Sequence, residues 1–143
     1  MSATDPRADA HRRYADASAL VKLILEEPES RVLDDYLGEP LPELTTSRLA
    51  VVEVTRAVKI ARPEPDVLEE TARLLESCVL LEVTAEILRQ AAALASGRLR
   101  TRDAVHLASI VRLDPHEVLA YDRRLVGGAR ELGFPVAHPG SDL

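Results

Sequence analysis

Cysteine is almost missing from this chain. The single Cys78 forbids an internal disulfide and cannot assemble a cysteine-based zinc site, so a reducing cytoplasm suits the protein. No uninterrupted apolar run approaches the roughly 18 residues a spanning helix needs, which sets a membrane aside. Residues 1–12 are polar, with Asp5, Pro6 and Asp9 and no apolar stretch, and read as a flexible leader rather than a secretory signal. Repeats, low-complexity tracts and the glycine patterns of phosphate-binding loops are also lacking; Gly127-Gly128 falls inside a helical pattern. Nor is there an excess of base. Eighteen Lys and Arg face 24 Asp and Glu, net −6, a balance that taken whole argues against a nucleic-acid partner.

What is present changes that reading. With 143 residues, 46% hydrophobic and 29% charged, the chain suits one globular domain with a real core. Its charge is segregated. Glu26 to Thr46 carries seven acids and one base, and Pro63 to Glu76 five acids and one base. Ser47 to Arg62 sets four bases against Glu53 alone, and Arg98 to Arg130 sets seven arginines against four acids. Charge runs usually mark solvated faces. Here the two basic segments also hold the acids singled out below.

Short apolar runs alternate with helical patterns. Strands are predicted at Arg13–Ala15, Leu44–Thr46, Val79–Val83 (buried), Val118–Tyr121 and Val136–Ala137. Between them the pattern predicts helices with apolar body Ala19–Leu25 (capped by Ser18), then Ser30–Leu37 ended by Gly38, and Ser47–Ala61. Further helices follow at Pro65–Ser77, Thr84–Ser96, Thr101–Leu113 with a Thr101 cap, and Arg123–Leu132. Strands separated by helices imply an α/β fold, a three-layer α/β/α sandwich with a central, mostly parallel sheet over residues 13–143.

Four acids break the local pattern. At about 100° per residue, Glu53 shares an arc with Leu49, Ala50, Ala57 and Ile60, the only charge on that core-facing stripe. It therefore calls for a cation, an arginine or a metal, or a salt bridge to a neighbouring helix. Asp103 sits in a first helical turn, where the helix dipole alone would favour it, on the face of Leu107 and Ile110. Asp16 and Asp122 each follow an apolar run where a parallel strand ends, the edge at which open α/β sheets bind ligands. Helix capping is the simpler explanation for either, although Ser18 is available to cap in place of Asp16. His106, at the edge of its helix's apolar stripe, reads as a packed or surface side chain; His11, His116 and His138 show no ligand spacing with it. Gathered together, four carboxylates repel and raise one another's pKa, a penalty that a hard divalent cation, Mg²⁺ or Mn²⁺, removes. Such an ion orients water for attack on a phosphodiester, and neighbouring arginines hold the polyanion.

The order of these residues resembles the PIN-domain family. Tyr14-Ala15-Asp16-Ala17-Ser18 is similar to its opening motif, and Ser47-Arg48-Leu49-Ala50-Val51-Val52-Glu53 to its central glutamate helix. Thr101-Arg102-Asp103-Ala104-Val105-His106 and Tyr121-Asp122-Arg123-Arg124-Leu125 resemble the third and fourth motifs. The fourth often has a Thr two positions before its Asp, where Ala120 stands here. The compact size resembles the VapC toxins of bacterial toxin–antitoxin pairs. The resemblance implies a cytoplasmic metal-dependent endoribonuclease in which Asp16, Glu53, Asp103 and Asp122 bind Mg²⁺ or Mn²⁺. Asp16 and Asp103 would be the principal ligands, and Ser18 and Thr101 would position water or phosphate. It further implies an RNA substrate, a homodimer and a cognate VapB-like antitoxin.

Two other classes compete with this expectation. A non-catalytic PIN-like module could hold RNA or a protein, yet retention of all four acids argues for chemistry. Aspartyl phosphotransferases also place an Asp after the first strand. A dehalogenase-like site wants a second Asp where Ser18 stands, and a receiver wants a late lysine, whereas none follows Lys59.

Overall fold

The computed structural model describes residues 12–94 and 96–143, so the expected leader lies outside the described residues apart from Arg12. Five strands, β1 (Arg13–Ala15), β2 (Leu44–Ser47), β3 (Val79–Leu81), β4 (Glu117–Leu119) and β5 (Val136–Ala137), form one sheet in the order β3-β2-β1-β4-β5. Every pairing is parallel. The connections carry α1 (Ala17–Lys22), α2 (Ser30–Leu37), α3 (Leu49–Ala61), α4 (Pro65–Ser77), α5 (Ala85–Ala93), α6 (Thr101–Leu113) and α7 (Arg123–Glu131). Among the described residues no helix is long and apolar enough to cross a membrane.

The strand order dictates the layers. From β1 the chain steps outward to β2 and β3, then returns to the other side of β1 for β4 and β5. Parallel crossovers are right-handed, so reversing direction moves the connecting helices to the opposite face. Strand alternation records the result. Ala15 and Leu119 pack with Leu20, Leu33, Val54 and Leu75 of α1 to α4. Tyr14 and Val118, one position earlier, face Leu107 and Ile110 of α6 and Leu125 and Ala129 of α7. A third cluster joins Ile87 and Ala91 of α5 to Ala104, Val105 and Ala108 of α6.

Helix α6 is therefore enclosed, and eight consecutive residues from Asp103 to Ile110 are buried. A buried helix must satisfy its polar side chains internally. Ser109 does so by donating to the Val105 carbonyl at 2.8 Å. Helix α7 lies close enough to α6 that a Cβ at Gly128 would meet Leu107 Cδ1 at 2.6 Å, which explains a glycine inside a helix. The other caps follow local chemistry. Thr84 accepts from the Ile87 amide at 3.2 Å, Pro65 opens α4, and Gly38 ends α2 at φ 83°.

Several expectations are corrected here. β3 is an edge strand with exposed or half-exposed residues rather than a buried one, because no strand pairs beyond it among the described residues. Helix α1 stops at Lys22, and Leu23 and Ile24 continue as tight turns. The buried stripe of α3 is Ala50, Val54 and Val58, whereas Ile60 is 78% exposed. The core covers a narrower arc of α3 than the periodicity suggested, and Glu53 stands at its margin.

Candidate active site

Reversal of strand order between β1 and β4 opens a crevice at the carboxyl ends of these strands. The Asp16 amide donates to the Leu119 carbonyl at 3.1 Å and closes the floor. Above it lies a cavity of about 260 Å³ lined by Asp16, Ser18, Glu53, Asp103 and Asp122. Lys22, Arg102 and His106 share the wall. Four acids drawn from α3, from the ends of two strands and from the first turn of α6 thus meet in one place.

Each acid is held differently. Asp16 is 4% exposed, and its Oδ1 accepts both the Ala19 amide at 3.1 Å and the Ser18 hydroxyl at 2.6 Å. Asp16 is thus the cap of α1, which corrects the assignment of that role to Ser18. The reason is geometric: an Asp at the N-cap reaches the amide three residues on. Ser18 serves as a link, since its oxygen also accepts the Tyr121 amide at 2.9 Å. Burial pushes the Asp16 carboxyl up to about 6; nearby His106 and the two hydrogen bonds pull it down, and Glu53 adds to the rise.

Asp103, 3% exposed, accepts the Arg100 amide through Oδ2 at 2.9 Å. Arg100 is the N-cap residue of α6, and Thr101 is its first helical residue, exposed and lining a neighbouring depression with Leu88 and Ala91. The cap expected of Thr101 is therefore not formed, because the helix already includes Thr101 and the N-cap position falls on Arg100. Asp122 caps α7, its Oδ1 accepting the Arg124 and Leu125 amides at 3.0 and 3.1 Å. The Arg102 guanidinium lies 3.9 Å from its other oxygen.

Among the described residues Glu53 pairs with an imidazole on the neighbouring helix α6 rather than with an arginine. Its Oε1 lies 2.6 Å from Nε2 of His106, which is 3% exposed. On the far side of the ring, Nδ1 meets the Tyr14 hydroxyl at 2.6 Å, with the rings edge to face at 81°. Burial, with the Asp16 charge, drives the Tyr14 phenol far above its ordinary range, so its proton stays on oxygen. The Tyr14 hydroxyl, the two ring nitrogens and the Glu53 carboxylate thus form one continuous hydrogen-bonded chain. Sequence reasoning missed His106 and Tyr14. Two periodicities pointed to them: Tyr14 is two residues before Asp16 on the same strand face, and His106 one turn after Asp103 on the same helix face.

Among the described residues, no three acid, His or Cys side chains lie close enough to hold a metal ion as they stand. The donor set is nonetheless all oxygen, and a buried Asp16 that resists ionisation suits a neighbouring cation. That chemistry fits a hard divalent ion that keeps several of its own waters.

The PIN domain family matches residues 13–130. The chain belongs to the PIN-domain family. Within it, this PIN domain is similar to ribonuclease VapC47 of Mycobacterium tuberculosis, 36% identical over 90% of this chain and 97% of that protein. Ribonuclease VapC46 of the same species is 39% identical over 88% and 96%. In fold, the PIN domain resembles the M. tuberculosis sarcin-ricin-loop-cleaving toxin VapC20 (TM-score 0.71, 17% identity, 89% of this chain and 99% of that one). A toxin–antitoxin complex from Klebsiella pneumoniae shares it too (TM-score 0.65, 17% identity, 92% and 99%).

Proposed function

We propose that this VapC-type PIN domain is a toxin endoribonuclease whose acid-lined cavity cuts RNA phosphodiesters with the help of a divalent cation, Mg²⁺ or Mn²⁺. The observation that carries the reading is the meeting of Asp16, Glu53, Asp103 and Asp122 in one cavity at the strand-order reversal. Likeness to VapC ribonucleases over nearly the whole chain supports it.

Asp16 and Asp103 would hold the cation, with Glu53 and Asp122 completing the site through water. When bound, the ion supplies an oriented water and neutralises charge on the phosphodiester. The chain's residues set up the rest. Ser18 and the Ala19 amide occupy Asp16 Oδ1, which leaves Oδ2 without a hydrogen bond among the described residues. His106 fixes one oxygen of Glu53. Arg102, half-exposed beside Asp122, gives the mouth a guanidinium for a phosphate oxygen.

The Klebsiella likeness and the VapC relatives support a cognate antitoxin as partner. A homodimer is part of the same reading, supported by exposed Val52 and Ile60 on α3. The decisive experiment is RNA cleavage with Mg²⁺ or Mn²⁺, comparing the native protein with Asp16→Asn. Cleavage lost in the variant supports the mechanism; equal cleavage removes it. Sedimentation of the protein without antitoxin tests the dimer.

A further inference from the structure

The acid-lined cavity is not the most spacious depression on the molecule. A groove of about 660 Å³ runs between the segment 96–99 and one side of α7. Arg98, Arg123 and Arg124 line it, and none of them joins an ion pair among the described residues. Glu131, at the far end of α7, is its one acid.

Its position relative to the cavity decides what it can take. Asp122, the cap of α7, lines the cavity, and the next two residues line the groove. On the opposite wall, Arg98 and Leu99 lead within five residues to Arg102 and Asp103, which again line the cavity. The linings of groove and cavity are therefore adjacent along the chain on both sides. Its floor is accessible backbone: Gly127 has open space where a Cβ would stand, and Gly128 sits against Leu107 and Leu99. From Arg123 to Glu131 the wall runs about 12 Å at 1.5 Å per residue, against ~3.4 Å per stacked nucleotide.

We propose that this groove is a second subsite for the RNA strand and takes nucleotides flanking the cleaved phosphodiester. Guanidinium groups pair with backbone phosphates, and their planes together with Leu99 receive unstacked bases. In a chain of net charge −6, three unpaired arginines converging on one groove are not a consequence of overall composition. An acidic protein segment would also pair with them, but the groove's place next to the acid-lined cavity favours one strand reaching both. The inference rests on the ribonuclease reading of that cavity.

The test is fluorescence anisotropy with a labelled 20-nucleotide RNA of mixed sequence, in the Asp16→Asn protein without metal, plus cleavage kinetics in the native background. The double variant Arg98→Gln/Arg124→Gln is expected to weaken RNA binding about tenfold and to lower the salt slope by about 2. In cleavage, KM rises and kcat holds; Arg98→Lys/Arg124→Lys recovers much of the affinity. Unchanged affinity and slope in the Gln variant overturn the proposal. So does a variant that binds RNA normally and loses affinity for the antitoxin, which makes the groove a protein-docking surface. Failure of the native protein to cleave any RNA defeats the underlying reading instead, whatever the anisotropy shows.

Discussion

Nε2 of His106 lies 2.6 Å from Oε1 of Glu53, which gives the carboxylate on α3 a partner on the enclosed helix α6. Because Tyr14 grips the other ring nitrogen from β1, the contact ties three layers of the fold together at the cavity wall. Partners of this kind orient a carboxylate and typically govern metal affinity or activity by 10–100-fold. His106→Ala is expected to cost about 2–4 kcal/mol of stability, since it leaves buried polar groups unpaired and a void beside Tyr14. It should also raise the divalent-ion concentration needed for half-maximal cleavage about tenfold or more. His106→Gln, whose amide can still donate to Glu53, should recover part of both. Urea unfolding and a Mn²⁺ titration of cleavage check the pair.

A second expectation concerns pH. Burial lifts Asp16 from its ordinary 3.8 to about 6, so between these values the folded state holds a proton that the unfolded chain has released. Stability contributed by the neutral acid is full below about 4 and is lost as pH rises through about 6. The displacement corresponds to about 3 kcal/mol. Asp16→Asn keeps a side chain able to cap α1. It should flatten the profile over this window and equal or exceed the native protein in stability above pH 6, measured by urea unfolding in metal-free buffer. Adding Mg²⁺ or Mn²⁺ at pH 7 should raise the native Tm and leave that of Asp16→Asn unmoved. A pH-independent difference between the two proteins would contradict this account.

The glycine pair on α7 separates packing from propensity. Gly127→Ala adds a methyl in open space and should stabilise by up to about 1 kcal/mol through helix propensity. Gly128→Ala places its Cβ 2.6 Å from Leu107 Cδ1 and 3.3 Å from Leu99 Cδ2, and Leu107 is 1% exposed with nowhere to go. The same substitution one position later should therefore cost about 1–3 kcal/mol. Thermal melts of the two variants should move in opposite directions.

Much of this was legible in the chain alone, for identifiable reasons. Helices α2 and α4 begin and end where Gly38 and the proline before Asp66 dictate, because capping and breaking are local chemistry. The parallel sandwich followed from alternation of short apolar runs with helical ones, which leaves few ways to bury both faces of a sheet. The acids stood out because carboxylates on apolar stripes and at strand ends are costly without a partner. What the chain could not announce is which partner each acid meets. Glu53 and His106 are 53 positions apart, and His106 and Tyr14 are 92 apart. Periodicity reports the face a side chain occupies and nothing of what a distant helix lays against it. The choice of imidazole over guanidinium and the placing of an acidic cavity near a basic groove were settled only when β4 returned beside β1 and brought α6 and α7 to the same edge.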